Sequence, residues 1–144
     1  MDPISFPGRL ALQQRVLPAY RAPFFDILGP ACTGGLSVFA GQPRPEEGVA
    51  SASSLSAARY VAAKNHHFRD PGSPLFLLWQ DGFLRWLQEW DPDALIVEAN
   101  SRYLSTRRAV LWMHTRRRPV LGWGLGAPPL AGKTPLGRAL SALR

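Results

Sequence analysis

Polar and charged side chains gather in two segments, and each segment directly follows a short apolar run. The side chains concerned are Tyr20, Arg21, Glu98, Asn100, Arg102 and Tyr103. Oxygens of Glu98 and Asn100 accept hydrogen bonds from sugar hydroxyls, and Arg21 or Arg102 binds phosphate through paired hydrogen bonds. The pattern predicts a site for a hydroxylated or phosphorylated ligand. Structural pairing, turn capping and simple solvation are the alternatives for the individual side chains.

A third segment, residues 124–129, follows another apolar run and offers backbone groups, notably at Gly124 and Gly126. Its glycines depart from the G-x-G-x-x-G spacing, and the acidic residue expected roughly 20 positions further on is missing, so dinucleotide binding is not expected. Residues 127–134 approach a phosphate-binding loop with Ala in the first position. Because Pro128 and Pro129 remove two backbone donors, ATP binding is not expected either.

Histidine and cysteine residues do not form a pattern that would hold a metal ion. His66 and His67 are adjacent, so their side chains point apart in any regular element, and no cysteine or carboxylate cluster joins them. Cys32 is the sole cysteine and is predicted to be a small buried thiol. The sequence therefore predicts neither a metal site nor a disulfide.

Apolar runs alternate with amphipathic segments along the chain. Strands are predicted at 9–15, 36–40, 60–63, 94–97 and 119–123, and helices from 23 to about 34, at 81–90, at 103–117 and from 136 onward. Residues 64–74 show no period, and the apolar run 75–79 fits either a strand or the start of a helix. Alternation of this kind predicts a single α/β domain with a Rossmann-like, doubly wound parallel sheet.

The predicted sheet decides where the candidate side chains meet. Ligands of open α/β sheets bind beyond the carboxyl ends of the strands, so the loops 16–21, 98–103 and 124–129 are expected at one edge. The sequence stops within about two turns of the last predicted helix, by length alone. We therefore expect residues 131–144 to be the start of a helix that is truncated.

Composition and charge exclude several classes of protein. The chain has 144 residues, of which 46% are hydrophobic, and this fraction is typical of a globular domain. Its net charge of +7 favours an anionic partner. No apolar run or signal peptide directs it into or across a membrane, so a cytoplasmic location is predicted. A basic cluster consists of Arg107, Arg108, Arg116, Arg117 and Arg118. A solvated face and a peripheral contact with an anionic membrane are its two interpretations, and no nucleic-acid motif accompanies it.

Three stretches, residues 14–25 (QRVLPAYRAPFF), 91–105 (DPDALIVEANSRYLS) and 122–126 (GWGLG), resemble a known family. In order and spacing they are similar to the N-terminal domain of GT-B-fold glycosyltransferases of the retaining, nucleotide-sugar-dependent kind, in the group 1 or family 4-like class. The resemblance covers residues 9–130, preceded by an N-terminal tail at 1–8. Relatives often carry a histidine near the position where Leu125 stands in this chain.

The resemblance implies that residues 9–130 supply the acceptor side of a catalytic cleft. A second Rossmann-like domain, expected to be missing here, would bind the nucleotide sugar, which is a substrate rather than a cofactor. The implied partners are that donor, an acceptor (glycan, lipid or small molecule) and the donor-binding domain, and no catalytic residue is assigned. Without the second domain, the chain is expected to lack transfer activity. A non-catalytic α/β module that binds a phosphorylated or sugar ligand is the alternative.

Overall fold

Two β-sheets and three α-helices organise residues 4–70 and 72–124, which the computed structural model describes. The strands are β1 Leu10–Val16, β2 Leu36–Gly41, β3 Arg59–Ala62, β4 Lys64–Phe68, β5 Leu77–Asp81, β6 Ala94–Glu98 and β7 Val120–Trp123. The helices are α1 Ala22–Leu28, α2 Phe83–Trp90 and α3 Leu104–Thr115. Pro23 lies in the first turn of α1, where its missing N–H costs no helical hydrogen bond.

The main sheet is parallel and has the strand order β3-β2-β1-β6-β7. From β1 the chain proceeds to β2 on one side, whereas β6 and β7 lie on the other side, so the strand order reverses between β1 and β6. Helix α1 packs on one face of the sheet, and α2 and α3 pack on the opposite face. The predicted α/β fold with a Rossmann-like, doubly wound sheet is thus confirmed.

Side chains of the central strand β1 alternate between the two cores. Leu10 and Leu12 pack in the core beneath α1, and Ala11 packs in the core beneath α2 and α3. The strand continues with Gln13 and Gln14, which are fully buried. Buried amides need hydrogen-bond partners, so the residues that surround the carboxyl end of β1 must supply polar groups.

The structure departs from the predicted elements at two places. Helix α1 ends at Leu28 rather than near residue 34, because Gly29–Ala31 tightens into a 3-10 turn with Pro30 at its start. Strands β4 and β5 form an antiparallel hairpin that the sequence did not predict. Strand β4 lacks the apolar alternation that marks a strand with one buried face, and most of its side chains are only half-buried.

Several other predictions concern single residues or segments. Cys32 is 4% exposed, which confirms the buried thiol. Gly126 and the helix predicted from residue 136 lie outside the described residues. Within residues 4–70 and 72–124, the helices are too short or too polar for any of them to cross a membrane.

Candidate functional site

The carboxyl ends of β1 and β6 meet at the point where the strand order reverses, and Glu98 bridges them. Its Oε2 accepts a hydrogen bond of 2.8 Å from the backbone N–H of Arg15. Its own backbone N–H donates to Oε1 of Gln13 at 3.1 Å. Open α/β sheets bind their ligands at such a reversal because the loops diverge there and leave a crevice.

The half-buried carboxyl of Glu98 and the buried phenol of Tyr103 form a pair at this edge. Burial is the main cause that raises the pKa of Glu98, and the hydrogen bond from Arg15 and the charges of Arg15 and Arg21 offset part of the rise. Burial also raises the pKa of Tyr103 to about 12, and the neighbouring Glu98 carboxylate adds to that rise. The phenol therefore keeps its proton at neutral pH and is a hydrogen-bond donor beside a carboxylate.

Arg21 is oriented by aromatic rings and by an amide. Its guanidinium lies 5.5 Å from the ring centroids of both Tyr20 and Trp123. Nη1 donates to Oε1 of Gln14 at 2.7 Å. Within the part of the chain that the structure describes, Arg21 forms no ion pair with a carboxylate. A fixed guanidinium with unused donors suits an anionic oxygen.

A buried amide network supports the edge from below. Nε2 of Gln80 donates to the carbonyl oxygen of Gln14 at 3.1 Å and to Oδ1 of Asn65 at 2.9 Å, and Oε1 of Gln80 accepts from Gln13 at 2.6 Å. Asn65 in turn donates to the carbonyl oxygen of Arg15 at 2.8 Å. Three of these bonds join the β4–β5 hairpin to β1, so the hairpin fixes the end of the central strand, and the bond between Gln80 and Asn65 joins β4 to β5.

The Arg15 side chain also points into an ion pair and is not free for a ligand. Nη1 donates to both carboxylate oxygens of Glu47, at 2.9 and 3.0 Å. Burial acts against the ionised form, but the hydrogen bonds from Arg15 and Arg44 hold the pKa of Glu47 below its usual value. This pair anchors the loop after β2 to the same edge.

The remaining predicted site residues have different surroundings. Asn100 is exposed, and its Oδ1 accepts from the backbone N–H of Arg102 at 3.0 Å, which is a turn-capping arrangement. Tyr20 is 74% exposed, and Gly124 is exposed beside an apolar groove. The structure thus brings Arg21, Glu98 and Tyr103 into one cluster, whereas Asn100 and Arg102 form the turn that borders it.

The basic cluster and the histidine pair have contacts outside the Arg21, Glu98 and Tyr103 cluster. Arg116 stacks on Trp112 at 3.9 Å, and Arg118 pairs with Asp91, whereas Arg107 and Arg108 are exposed. Their contact with an anionic membrane stays a prediction. Nε2 of His66 lies 2.6 Å from Oδ2 of Asp81. Nowhere in residues 4–70 and 72–124 do three metal-ligating side chains cluster.

Sequence reasoning missed the glutamines that hold the site. The available signal was the polar pair Gln13 and Gln14 directly after an apolar run in a central strand, which requires partners in the fold. The partner Gln80 belongs to the hairpin that the sequence did not predict. No family model, curated protein or solved structure matches the chain. Geometry at the carboxyl edge is therefore the basis of the functional argument.

Replacing Glu98 by Gln is expected to raise the free energy of unfolding at neutral pH. A carboxyl whose pKa is raised by folding binds more protons in the folded state, so its stabilising contribution falls as pH rises through the folded pKa. Gln retains an acceptor for the Arg15 N–H and carries no charge to bury. Thermal unfolding at several pH values should give the variant a higher melting temperature than the wild type near pH 7. The difference in melting temperature should vanish below about pH 4.

The exposed helix position Glu89 provides the matched control, because Glu89→Gln changes the same atoms on the surface. Glu89→Gln should change the melting temperature only slightly at every pH. A Glu98→Gln variant that is less stable than the wild type at pH 7 would contradict a desolvated carboxyl at this edge.

Proposed function

We propose that this domain forms the acceptor side of a glycosyltransferase cleft, at which a sugar passes from a nucleotide-sugar donor to an acceptor held at the carboxyl edge of the sheet. The observation that carries the proposal is the cluster of Arg21, Glu98 and Tyr103 at the reversal of strand order between β1 and β6. The order of the three stretches that resemble GT-B glycosyltransferases supports it, since two of them supply this cluster.

The side chains of the cluster are suited to hold a sugar or a phosphorylated group. The Glu98 carboxylate and the Tyr103 phenol oxygen accept from hydroxyls, and Arg21 offers two further guanidinium nitrogens to an anionic oxygen. Positioning of this kind contributes to transfer only when a donor is held opposite the acceptor. In the proposed enzyme the donor is bound by a second domain.

The proposed cellular location follows from the same function. Nucleotide sugars are charged, water-soluble substrates, and we place the enzyme in the cytoplasm or at the inner face of its membrane. The acceptor sugar, the donor sugar and the stereochemistry of transfer are set by residues of both domains.

A glycan array that includes phosphorylated and lipid-linked sugars tests the proposal. The labelled chain should bind a subset of the array, and Arg21→Ala or Glu98→Ala should weaken that binding roughly 5- to 150-fold, as expected for a lost hydrogen bond worth about 1–3 kcal/mol. Arg107→Ala removes an exposed arginine on the opposite face and is the control.

Three results would count against the acceptor side of a transferase. Transfer of a sugar from a nucleotide sugar by the purified chain alone would show that no second domain is needed. Glycan binding that is unchanged in Arg21→Ala and Glu98→Ala but lost in Arg107→Ala would place the ligand on α3. If the chain binds glycans at this edge and neither its gene nor a partner protein supplies a donor-binding domain, the result would favour a non-catalytic module.

A further inference from the structure

An open groove of about 410 Å³ lies on the α1 face of the sheet, over β1, β6 and β7. Its floor is a row of apolar side chains in register, in which Leu12 pairs with Ile96 and Ile96 pairs with Leu121. Phe24 and Leu28 of α1 form one wall. The volume falls within the range of roughly 300–1,000 Å³ that small-molecule sites occupy, and their lining is also mostly apolar.

The topology explains why this face of the sheet is open. Helix α3 connects β6 to β7 and packs on the opposite face, together with α2. Among the described residues, α1 is the one α-helix on the groove side, and it covers β1 and β2. As a result Leu121 is 53% exposed and Phe24 is 51% exposed beside an apolar floor.

The lining of the groove ends at Trp123 and Gly124, and polar side chains of the carboxyl edge lie next to Trp123. Glu98 and Trp123 are register partners, and Gln14 follows Leu12 by two residues on the same face of β1. Arg21 lies over Trp123 and donates to Oε1 of Gln14. Glu98 is the one acid in this row, and its Oε2 is already occupied by the N–H of Arg15.

Two hydrogen-bond donors at this end have no partner within the described residues. Nε2 of Gln14 is unpaired although the side chain is fully buried. Arg21 uses Nη1 for Gln14, and its remaining guanidinium nitrogens form no hydrogen bond in the described part of the chain. Because the Gln14 amide has no accessible surface, the unused guanidinium nitrogens of Arg21 are the donors that a ligand at this end of the groove can reach.

We infer that the groove binds an amphiphile consisting of an aliphatic chain and a phosphate, with the chain over Leu12, Ile96 and Leu121 and the phosphate on Arg21, whose guanidinium lies over Trp123 of the lining. Charge favours an anionic head, because Arg21 has no carboxylate partner among the described residues and the chain carries a net charge of +7. The apolar floor crosses three neighbouring strands from Leu12 to Leu121, which is roughly 10 Å at about 4.8 Å between strands, so it takes part of a medium-length chain. The inference rests on the proposed function in one respect, since it names the acceptor class as a lipid phosphate.

Titration of the chain with monomeric dodecyl phosphate tests the inference, with inorganic phosphate and dodecyl maltoside as the comparison ligands. Saturable binding of dodecyl phosphate is expected, with much weaker binding of the other two. Arg21→Gln should weaken dodecyl phosphate binding by at least about tenfold and leave dodecyl maltoside unchanged.

Leu121→Arg, which places a charge in the groove, should abolish the binding of dodecyl phosphate. Leu111→Arg is the matched control, because Leu111 is 65% exposed on α3 at the opposite face. A second readout does not depend on the folding of the Leu121 variant. Dodecyl phosphate brominated beside its head should quench a component of the tryptophan fluorescence that Trp123→Phe removes.

Three results would overturn the inference. Inorganic phosphate that binds as tightly as dodecyl phosphate would show that the groove takes no chain. Quenching that persists unchanged in Trp123→Phe would place the amphiphile elsewhere. Absence of binding, with self-association that Leu121→Arg relieves, would show that a second copy of the chain covers the groove. None of these measurements requires sugar transfer or glycan binding, so their failure is distinguishable from failure of the acceptor-side proposal.

Discussion

Replacing Gln80 by Leu is expected to lower the free energy of unfolding by about 3–5 kcal/mol. The buried amide of Gln80 satisfies the carbonyl oxygen of Gln14, Oδ1 of Asn65 and Nε2 of Gln13. A leucine of similar size leaves the Gln13 amide and the Gln14 carbonyl oxygen buried, and Asn65 Oδ1 half-buried, without this partner, and each unsatisfied buried group costs roughly 1–3 kcal/mol. Urea unfolding followed by tryptophan fluorescence measures the change.

Gln88→Leu is the matched control, because Gln88 is an exposed glutamine on α2. Its effect should stay within about 0.5 kcal/mol. A loss below about 1 kcal/mol for Gln80→Leu would show that water or rearrangement satisfies the network, and that the β4–β5 hairpin does not fix the end of β1.

Replacing Trp86 by Ala is expected to destabilise the domain by about 3–5 kcal/mol. The indole is 2% exposed and lies against the ring of Phe39 at a centroid distance of 5.0 Å. Its Nε1 donates to Oγ of Ser37 at 2.8 Å, so the substitution creates a cavity and leaves a buried hydroxyl without its donor. The same urea unfolding experiment measures the loss.

Trp86→Phe separates the two contributions, because it keeps most of the ring volume and removes the indole donor. Trp86→Phe should lower the free energy of unfolding less than Trp86→Ala does, and the difference between the two variants is the contribution of the cavity. Equal stability of the wild type and Trp86→Ala would mean that the core beneath α2 is not packed as described.

The sequence predicted the parallel sheet because its signals are local. The apolar run from Ala94 to Val97 forms β6 and buries Leu95 and Val97 beneath α2 and α3, and α2 presents Phe83, Trp86 and Leu87 to the same core. Such runs mark an element from neighbouring residues alone, and short loops then restrict the topology to few arrangements. The position of the candidate edge follows from that topology.

The contacts within the edge depend on residues that are distant in sequence. Gln13 and Gln80 bond directly although 67 positions separate them. A glutamine in a strand carries no periodic signal that distinguishes a buried amide from an exposed one. The burial of Tyr103, which packs with Phe76 and Leu78 of the hairpin region, was unpredictable for the same reason.

Chemical-shift mapping with glucose 1-phosphate is the most direct measurement of the central claim, that the reversal of strand order between β1 and β6 is an acceptor site. This probe presents both sugar hydroxyls and a phosphate to the edge. Saturable shifts are predicted for backbone amides of residues 14–21 and 98–103, with loss of the response in a variant that combines Arg21→Ala and Glu98→Ala. Shifts confined to α3, or a response that the double substitution leaves unchanged, would contradict the claim.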